Sequence, residues 1–353
     1  MRALVISGGG SKGAFAVGAL KYLMNERGLD WEVLAGTSTG ALIVPMLAAK
    51  GKEALATLET EYTTVKTDDI LDGEPVLRVI AGKPSLYGSG PLRKRIEKHI
   101  TKDLFETLKN SKKRMAVTSV DLRDGKLVYY QTGQTAIPSN DVVVQVEKLE
   151  QLVNAIHASS SIPMAMPPVV NSRPGAGDDG YVDGGVREYV PIEIAIDAGA
   201  DEICCIVLAP PMDKRGTYDK RFGSVVDVAQ RAVDLLSEEV GASDIKLSQL
   251  YTDANVYINA VVGKLRAAGV KDDVIVPAFQ NSGVKNPFAS KRAVSLRIIR
   301  PQKPLRGDTL KFSPEDMRAN LEYGYQCAKE QWDASKQVQV HALIGGDQPA
   351  PVG

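Results

Sequence analysis

The segment Gly36-Thr37-Ser38-Thr39-Gly40 sets a serine two residues from a glycine on either side. This is the spacing of a nucleophile elbow, in which serine sits on a sharp turn between a strand and a helix. Glycine suits the flanking positions because the turn brings the backbone against its neighbours, where a side chain would collide. A helix starting at Thr39 would aim its positive end at Ser38 and favour negative charge developing on an attacked carbonyl oxygen. The same five residues also suit a glycine-bounded turn without chemistry.

A second glycine cluster, Gly8-Gly9-Gly10-Ser11-Lys12-Gly13, gathers several backbone N–H groups at a helix start, which makes it an anion site by geometry. A nucleotide phosphate loop needs Lys and then Ser or Thr directly after its last glycine, whereas Ala14 and Phe15 follow Gly13. The dinucleotide fingerprint matches at Gly8, Gly10 and Gly13, but the acidic residue expected at the end of the second strand is missing. That strand end carries Ser38 instead, which favours an oxyanion hole over a phosphate site.

Serine needs a base, and histidine is the usual one. The chain has three histidines. His99 lies in a charged, surface-like helix, His157 near the end of an apolar-faced helix, and His341 towards the C-terminus; none has a supporting motif. Asp183 in Asp183-Gly184-Gly185 is the alternative, since a carboxylate within about 2.6–3.2 Å of the hydroxyl can take its proton directly. An unperturbed Asp, with a pKa of about 3.9, is a weak base at neutral pH. Desolvation or well-placed donors would have to correct that, and Asp-Gly-Gly taken alone reads more readily as a turn.

The elements around these residues alternate. Apolar runs over 3–6 and 31–35 read as buried strands, and helical spacing over 14–26 and 41–49 follows each. Strand, helix, strand, helix predicts an α/β fold of three layers, α/β/α, with a mainly parallel central sheet. Strands over 115–120 and 127–131, joined by Arg123-Asp124-Gly125, predict an antiparallel elaboration. Further on, helices are expected over 146–158, 191–198, 225–240 and 245–265, a loop over 171–180, and strands over 202–208 and 294–299. Ser313-Pro314-Glu315-Asp316 is a helix start. In the helix over 245–265, Leu247, Leu250, Val256 and Ile258 could cover a channel or simply join the core.

Composition narrows the function classes. The 353 residues carry 43 basic and 43 acidic side chains, which argues against nucleic acid as a partner. Cys204 and Cys205 are adjacent in a strand and point to opposite faces, so they should not pair, and an odd count of three cysteines suits a reducing, cytoplasmic setting. No metal-ligand spacing occurs. No signal peptide is read at the N-terminus, and no apolar stretch approaches the roughly 18 residues of a spanning helix, so any meeting with a membrane is expected to be peripheral. No repeat or compositional break divides the chain. A single domain over residues 1–345 is expected, with catalytic blocks in 1–210, helical elaboration over about 211–290, a closing strand and helix over 291–335, and a loose tail over 346–353.

Taken together and in this order, Gly8 to Gly13, Gly36 to Gly40 and Asp183-Gly184-Gly185 resemble the three signature blocks of bacterial patatin-like phospholipases. Ala158-Ser159-Ser160-Ser161-Ile162-Pro163 and Tyr87-Gly88-Ser89-Gly90-Pro91-Leu92 resemble further segments of that family, as does the closing helix with Gly324-Tyr325. The resemblance implies Ser38 as nucleophile and Asp183 as base, with amides of Gly8, Gly9, Gly10, Ser11, Lys12 and Gly13 forming the oxyanion hole. It casts Gly36, Gly40, Gly184 and Gly185 as support. It also implies cleavage of acyl esters of phospholipids or lysophospholipids through an acyl-enzyme, without metal or organic cofactor. Lys12 stands where a basic residue is usual and could assist an anionic head group or the oxyanion. Two other readings compete: an α/β-hydrolase-type esterase with a Ser-His-Asp triad, which would need His341, and a non-catalytic anion- or nucleotide-binding protein.

Overall fold

Alternating buried residues build a sheet clad on both faces. The structure, a computed structural model, describes residues 1–173, 175, 177, 180–216, 223, 225–280 and 294–342. The eight strands are β1 (Arg2–Ile6), β2 (Val33–Gly36), β3 (Arg114–Asp121), β4 (Leu127–Thr132), β5 (Val142–Gln145), β6 (Tyr181–Asp183), β7 (Glu202–Ile206) and β8 (Ser295–Ile299). They form one sheet in the order β5-β4-β3-β2-β1-β7-β8, with β6 paired to β3 off this path. β1, β2, β3, β7 and β8 run parallel, while β4 pairs antiparallel with β3 across the expected turn.

Strand periodicity divides the interior in two. Leu4, Ile6, Leu34, Cys204 and Ile206 join the core on one face; Ala3, Val5, Ala35, Ile203 and Cys205 join the core on the other. The adjacent cysteines therefore sit in different cores, and both are free thiols. The first face is covered by α1 (Gly13–Lys21), α2 (Thr39–Lys50), α3 (Ala54–Thr64), α5 (Gly90–His99), α6 (Lys102–Lys109), α7 (Leu149–Ser159) and α11 (Pro314–Ala342), with the short α4 (Pro75–Ile80) at its rim. The second face is covered by α8 (Ile192–Asp197) and the long α9 (Val225–Ala267); α10 (Asp272–Gln280) packs on α9. α1 and α11 meet backbone to backbone, because Gly18 lies against the Leu321 carbonyl and Gly324 against that of Phe15.

Three differences from the sequence expectations have physical causes. The two helices expected over 225–240 and 245–265 are one continuous helix, α9. Gly241 does not break it, since a Cβ there would stand 2.7 Å from the Tyr189 ring, so the missing side chain is a packing site. Leu247, Leu250 and Val256 on this helix are exposed, neither covering a channel nor filling the core. β5 and β6, of four and three residues, are too short to show a periodicity of their own. Of the loop expected over 171–180, positions 174, 176, 178 and 179 lie outside the described residues, as does the whole tail over 346–353.

Candidate active site

One strand edge brings the two candidate chemical groups together. β2 pairs with the first half of β3, ending with Gly36 opposite Val117, and β6 pairs with the second half, Asp183 opposite Ser119. β4 occupies the other edge of β3, so β2 and β6 share this one. β2 runs parallel to β3 and β6 antiparallel, so the chain leaving β2 at the elbow meets the end of β6 head to head. Ser38 and Asp183, 145 positions apart in sequence, are therefore neighbours that line one cavity.

The elbow is strained, as a displayed nucleophile requires. Ser38 adopts φ 55° and ψ −118°. Gly40 follows because a Cβ there would run into the Ile6 carbonyl. Backbone and hydroxyl contacts hold this geometry: the Ser38 N–H donates to Ser159 Oγ at 3.0 Å, Ser160 Oγ donates to the Ser38 carbonyl at 3.3 Å, and the Asp183 N–H donates to the Ser161 carbonyl at 3.0 Å. Thr37 Oγ1 stands 2.8 Å from Thr118 Oγ1 on β3. The three consecutive serines at the end of α7 thus splint both Ser38 and Asp183. Their role was invisible in the sequence except as a run of small residues, because only the tertiary fold says what a hydroxyl faces.

Asp183 is buried, 5% exposed, and burial pushes its pKa up to about 7 against the opposing effects of the Gly185 N–H, which donates to it at 2.8 Å, and of the nearby Ser38 hydroxyl. The base strength that an ordinary aspartate lacks is supplied by desolvation. Gly184 and Gly185 make the tight turn that lets the Gly185 N–H reach the carboxylate.

The Gly8 to Gly13 loop lies beside the elbow. Gly10, with φ 55°, sits where a side chain would collide with the Thr309 carbonyl. The amides of the loop have different occupations. Gly8 donates to the Tyr189 carbonyl, Ser11 to that of Thr309, Lys12 to that of Gly9, and Gly13 back into its own turn. Among the described residues, the N–H groups of Gly9 and Gly10 have no protein acceptor. Gly9 and Gly10 border the two cavities that meet at Ser38.

These two cavities differ in chemistry. One is an apolar tube of about 870 Å³, mouth included, that starts at Gly10, Ser38 and Thr39. Its walls include Leu42 and Met46 of α2, Leu92 and Ile96 of α5 with Ile100 just beyond that helix, and Met166, Leu310 and Phe312. The other, of about 460 Å³, holds Ser38, Asp183, Gly9 and Lys12 and is roofed by Val233, Asp234, Ser237 and Glu238 of α9. The cover over the site therefore comes from the first half of α9, not from its second half.

His157 and His99 have partners away from Ser38. His157 Nε2 lies 2.8 Å from Ser89 Oγ, and burial lowers its pKa to about 4, which keeps the ring neutral. His99, far from being only a surface residue, lines the apolar tube and stands 3.0 Å from Glu61. His341 is in the last turn of α11. Among the described residues, no group of three or more His, Cys, Asp and Glu is placed to hold a metal ion, and no helix is long and apolar enough to cross a membrane.

No curated protein matches the chain. Among solved structures, VipD from Legionella pneumophila is similar, at 13% identity over 94% of this chain and 67% of that one, with a TM-score of 0.38. Residues 4–196, more than half of the chain, match the model of the patatin-like phospholipase family. With a mostly parallel sheet under flanking helices and a serine elbow at its second strand, the chain belongs to the patatin-like phospholipases, a family of lipid acyl hydrolases.

Proposed function

We propose that the protein cleaves fatty acyl esters of phospholipids or lysophospholipids through an acyl-enzyme on Ser38. The observation that carries this reading is the juxtaposition of a strained, buried serine and a desolvated aspartate where an apolar tube and a polar cavity meet. As Ser38 Oγ attacks the ester carbonyl, Asp183 accepts its proton. The carbonyl oxygen becomes an oxyanion facing the amides of Gly9 and Gly10, with the N-terminus of α2 behind Ser38. Collapse breaks the ester bond, and the departing alcohol takes the proton from Asp183. Water then gives a proton to Asp183 and attacks the acyl-enzyme, releasing the fatty acid and restoring Ser38. A base whose pKa is near 7 can both accept and return a proton at neutral pH. In this scheme the acyl chain occupies the apolar tube and the leaving group the polar cavity beside Lys12. No step calls for a metal or an organic cofactor. The three buried free thiols support a cytoplasmic location.

A serine-directed fluorophosphonate tests the nucleophile. It labels the folded protein at Ser38 and leaves Ser38→Ala unlabelled; a folded wild type that resists the reagent would favour the anion-binding alternative.

Peripheral contact with lipid is supported by α4. Val76, Leu77, Val79 and Ile80 are all exposed, from 59% to 77%. A chain of contacts links them to the site: Arg78 bonds Ser85, the Leu86 N–H donates to the Met164 carbonyl, and Ile162 lines both cavities at Ser38. Burying one such side chain in a lipid surface contributes about 1.5–3 kcal/mol. The pair Leu77→Glu and Ile80→Glu therefore lowers hydrolysis of phospholipid vesicles about tenfold or more, while a soluble short-chain ester is cleaved at the wild-type rate. Equal loss on both substrates would mean that α4 supports the fold and not lipid contact.

A further inference from the structure

We propose that the cluster of Glu61, Arg95 and His99, built on the Glu61–Arg95 ion pair, closes the acyl tube and sets the longest chain that the site accepts, an inference that rests on the acyl-hydrolase reading. α3 contributes Leu58 and Tyr62 to the tube, with Val65 directly after it, and α5 contributes Leu92 and Ile96, with Ile100 directly after it, each set spaced as one helical stripe. Three charged or polar positions interrupt those stripes: Glu61, Arg95 and His99. Such groups are tolerated in an apolar wall only when they are paired.

They are paired across the tube. His99 Nε2 stands 3.0 Å from Glu61 Oε1, and Lys98 Nζ 3.2 Å from the same oxygen. Arg95 reaches Glu61 with one nitrogen and Asp69, at 3.2 Å, with the other. Every contact to Glu61 joins α3 to α5, so the cluster fastens one wall of the tube to the other. The hydrogen bonds and ion pairs on Glu61, that of His99 foremost, hold its carboxyl at about 2, so it stays ionised wherever the protein is folded near neutral pH.

Position makes this clamp a stop. The start of α5 is tied to α7 through His157 to Ser89 and Arg93 to Asn154, and α7 ends in the serines that hold Ser38. His99 is the last residue of α5. A chain esterified to Ser38 thus runs along apolar walls until its methyl end meets an ionised cluster that it cannot hydrogen-bond. Further methylenes gain no apolar burial there and must part the two helices. The side chains of Glu61, Arg95 and His99 are 20%, 27% and 18% exposed, so the cluster reaches solvent, and loosening it would lengthen the tube outward.

The test uses binding, so that it reads the tube without turnover. In Ser38→Ala, the affinity of saturated fatty acids from octanoate to stearate is measured by calorimetry, alone and with Glu61→Gln or His99→Ala added. Each buried methylene raises affinity about fourfold until the chain reaches the cluster, where the rise stops. The expected result is a break that moves to longer chains, by about two carbons or more, in both double variants. His99→Ala leaves Glu61 paired with Arg95 and Lys98, so it keeps the test valid if Glu61→Gln weakens the fold. A break at the same length in all three proteins overturns the gate, as does failure of every chain to bind. Inactivity of the Ser38-intact enzyme on all esters would count against the hydrolase reading alone, because the binding series does not depend on it.

Discussion

Ser38→Ala and Asp183→Asn each reduce ester turnover by roughly ten-thousand-fold, to the residue that binding and the oxyanion donors supply without an activated nucleophile. The two losses are alike because the groups act as one unit. Without the hydroxyl there is nothing to acylate, and with an amide in place of the carboxylate there is nothing to take its proton. The measurement is hydrolysis of a soluble ester in metal-free buffer, with the double variant as control for non-additivity. His157→Ala and His341→Ala keep most of the activity, since His157 is a neutral ring bonded to Ser89 and no sequence motif supports His341 as a base. His99→Ala keeps it on short esters, because its contact is with Glu61 at the tube wall. Turnover that survives Asp183→Asn but is lost in His341→Ala would establish a triad and remove the Ser-Asp pair.

The second large effect is on pH, and it has opposite signs for activity and stability. In the proposed mechanism activity requires ionised Asp183, so kcat/KM is expected to rise as pH increases through about 7 and to level off above it. A flat profile from about pH 5 upward would show that the reacting base is not a desolvated carboxylate. For stability, the native state holds its proton up to about 7, while the unfolded chain loses it near the ordinary value of 3.8. Between these values the native state binds more protons than the unfolded one, so stability falls as pH rises across the window and the full penalty persists above it. The gap corresponds to about 4 kcal/mol against the charged form. Asp183→Asn removes that penalty: the inactive variant is more stable than wild type by about 1–3 kcal/mol at pH 8, and the difference vanishes near pH 4, as read from denaturant midpoints. The base is thus maintained at the expense of stability, a trade that functional sites commonly show. A variant less stable than wild type at pH 8 would mean that the effects of the Gly185 N–H and the Ser38 hydroxyl outweigh the desolvation.

What the sequence determined by itself was the local chemistry and the class of fold. The turn around Ser38 is encoded by Gly36 and Gly40, which act within two residues of it, and the glycines from Gly8 to Gly13 encode their own loop in the same way. Buried strands over 3–6, 31–35 and 202–208 show as apolar runs because both faces of a parallel sheet are covered, so the three layers could be read in advance. The tertiary structure alone decided what each group faces. Asp183 comes to lie beside Ser38 only because β6 shares the edge of β3 with β2, a juxtaposition that no spacing along the chain records. Ser159, Ser160 and Ser161 carry no periodic signal, yet their hydroxyls and carbonyls fix both reacting groups. The charges of α5 read as a solvated face, since lone charged residues belong in water. Pairing with Glu61 on α3 is what permits Arg95 and His99 to line an apolar tube, and pairing between helices is a property of the packed chain, not of either helix.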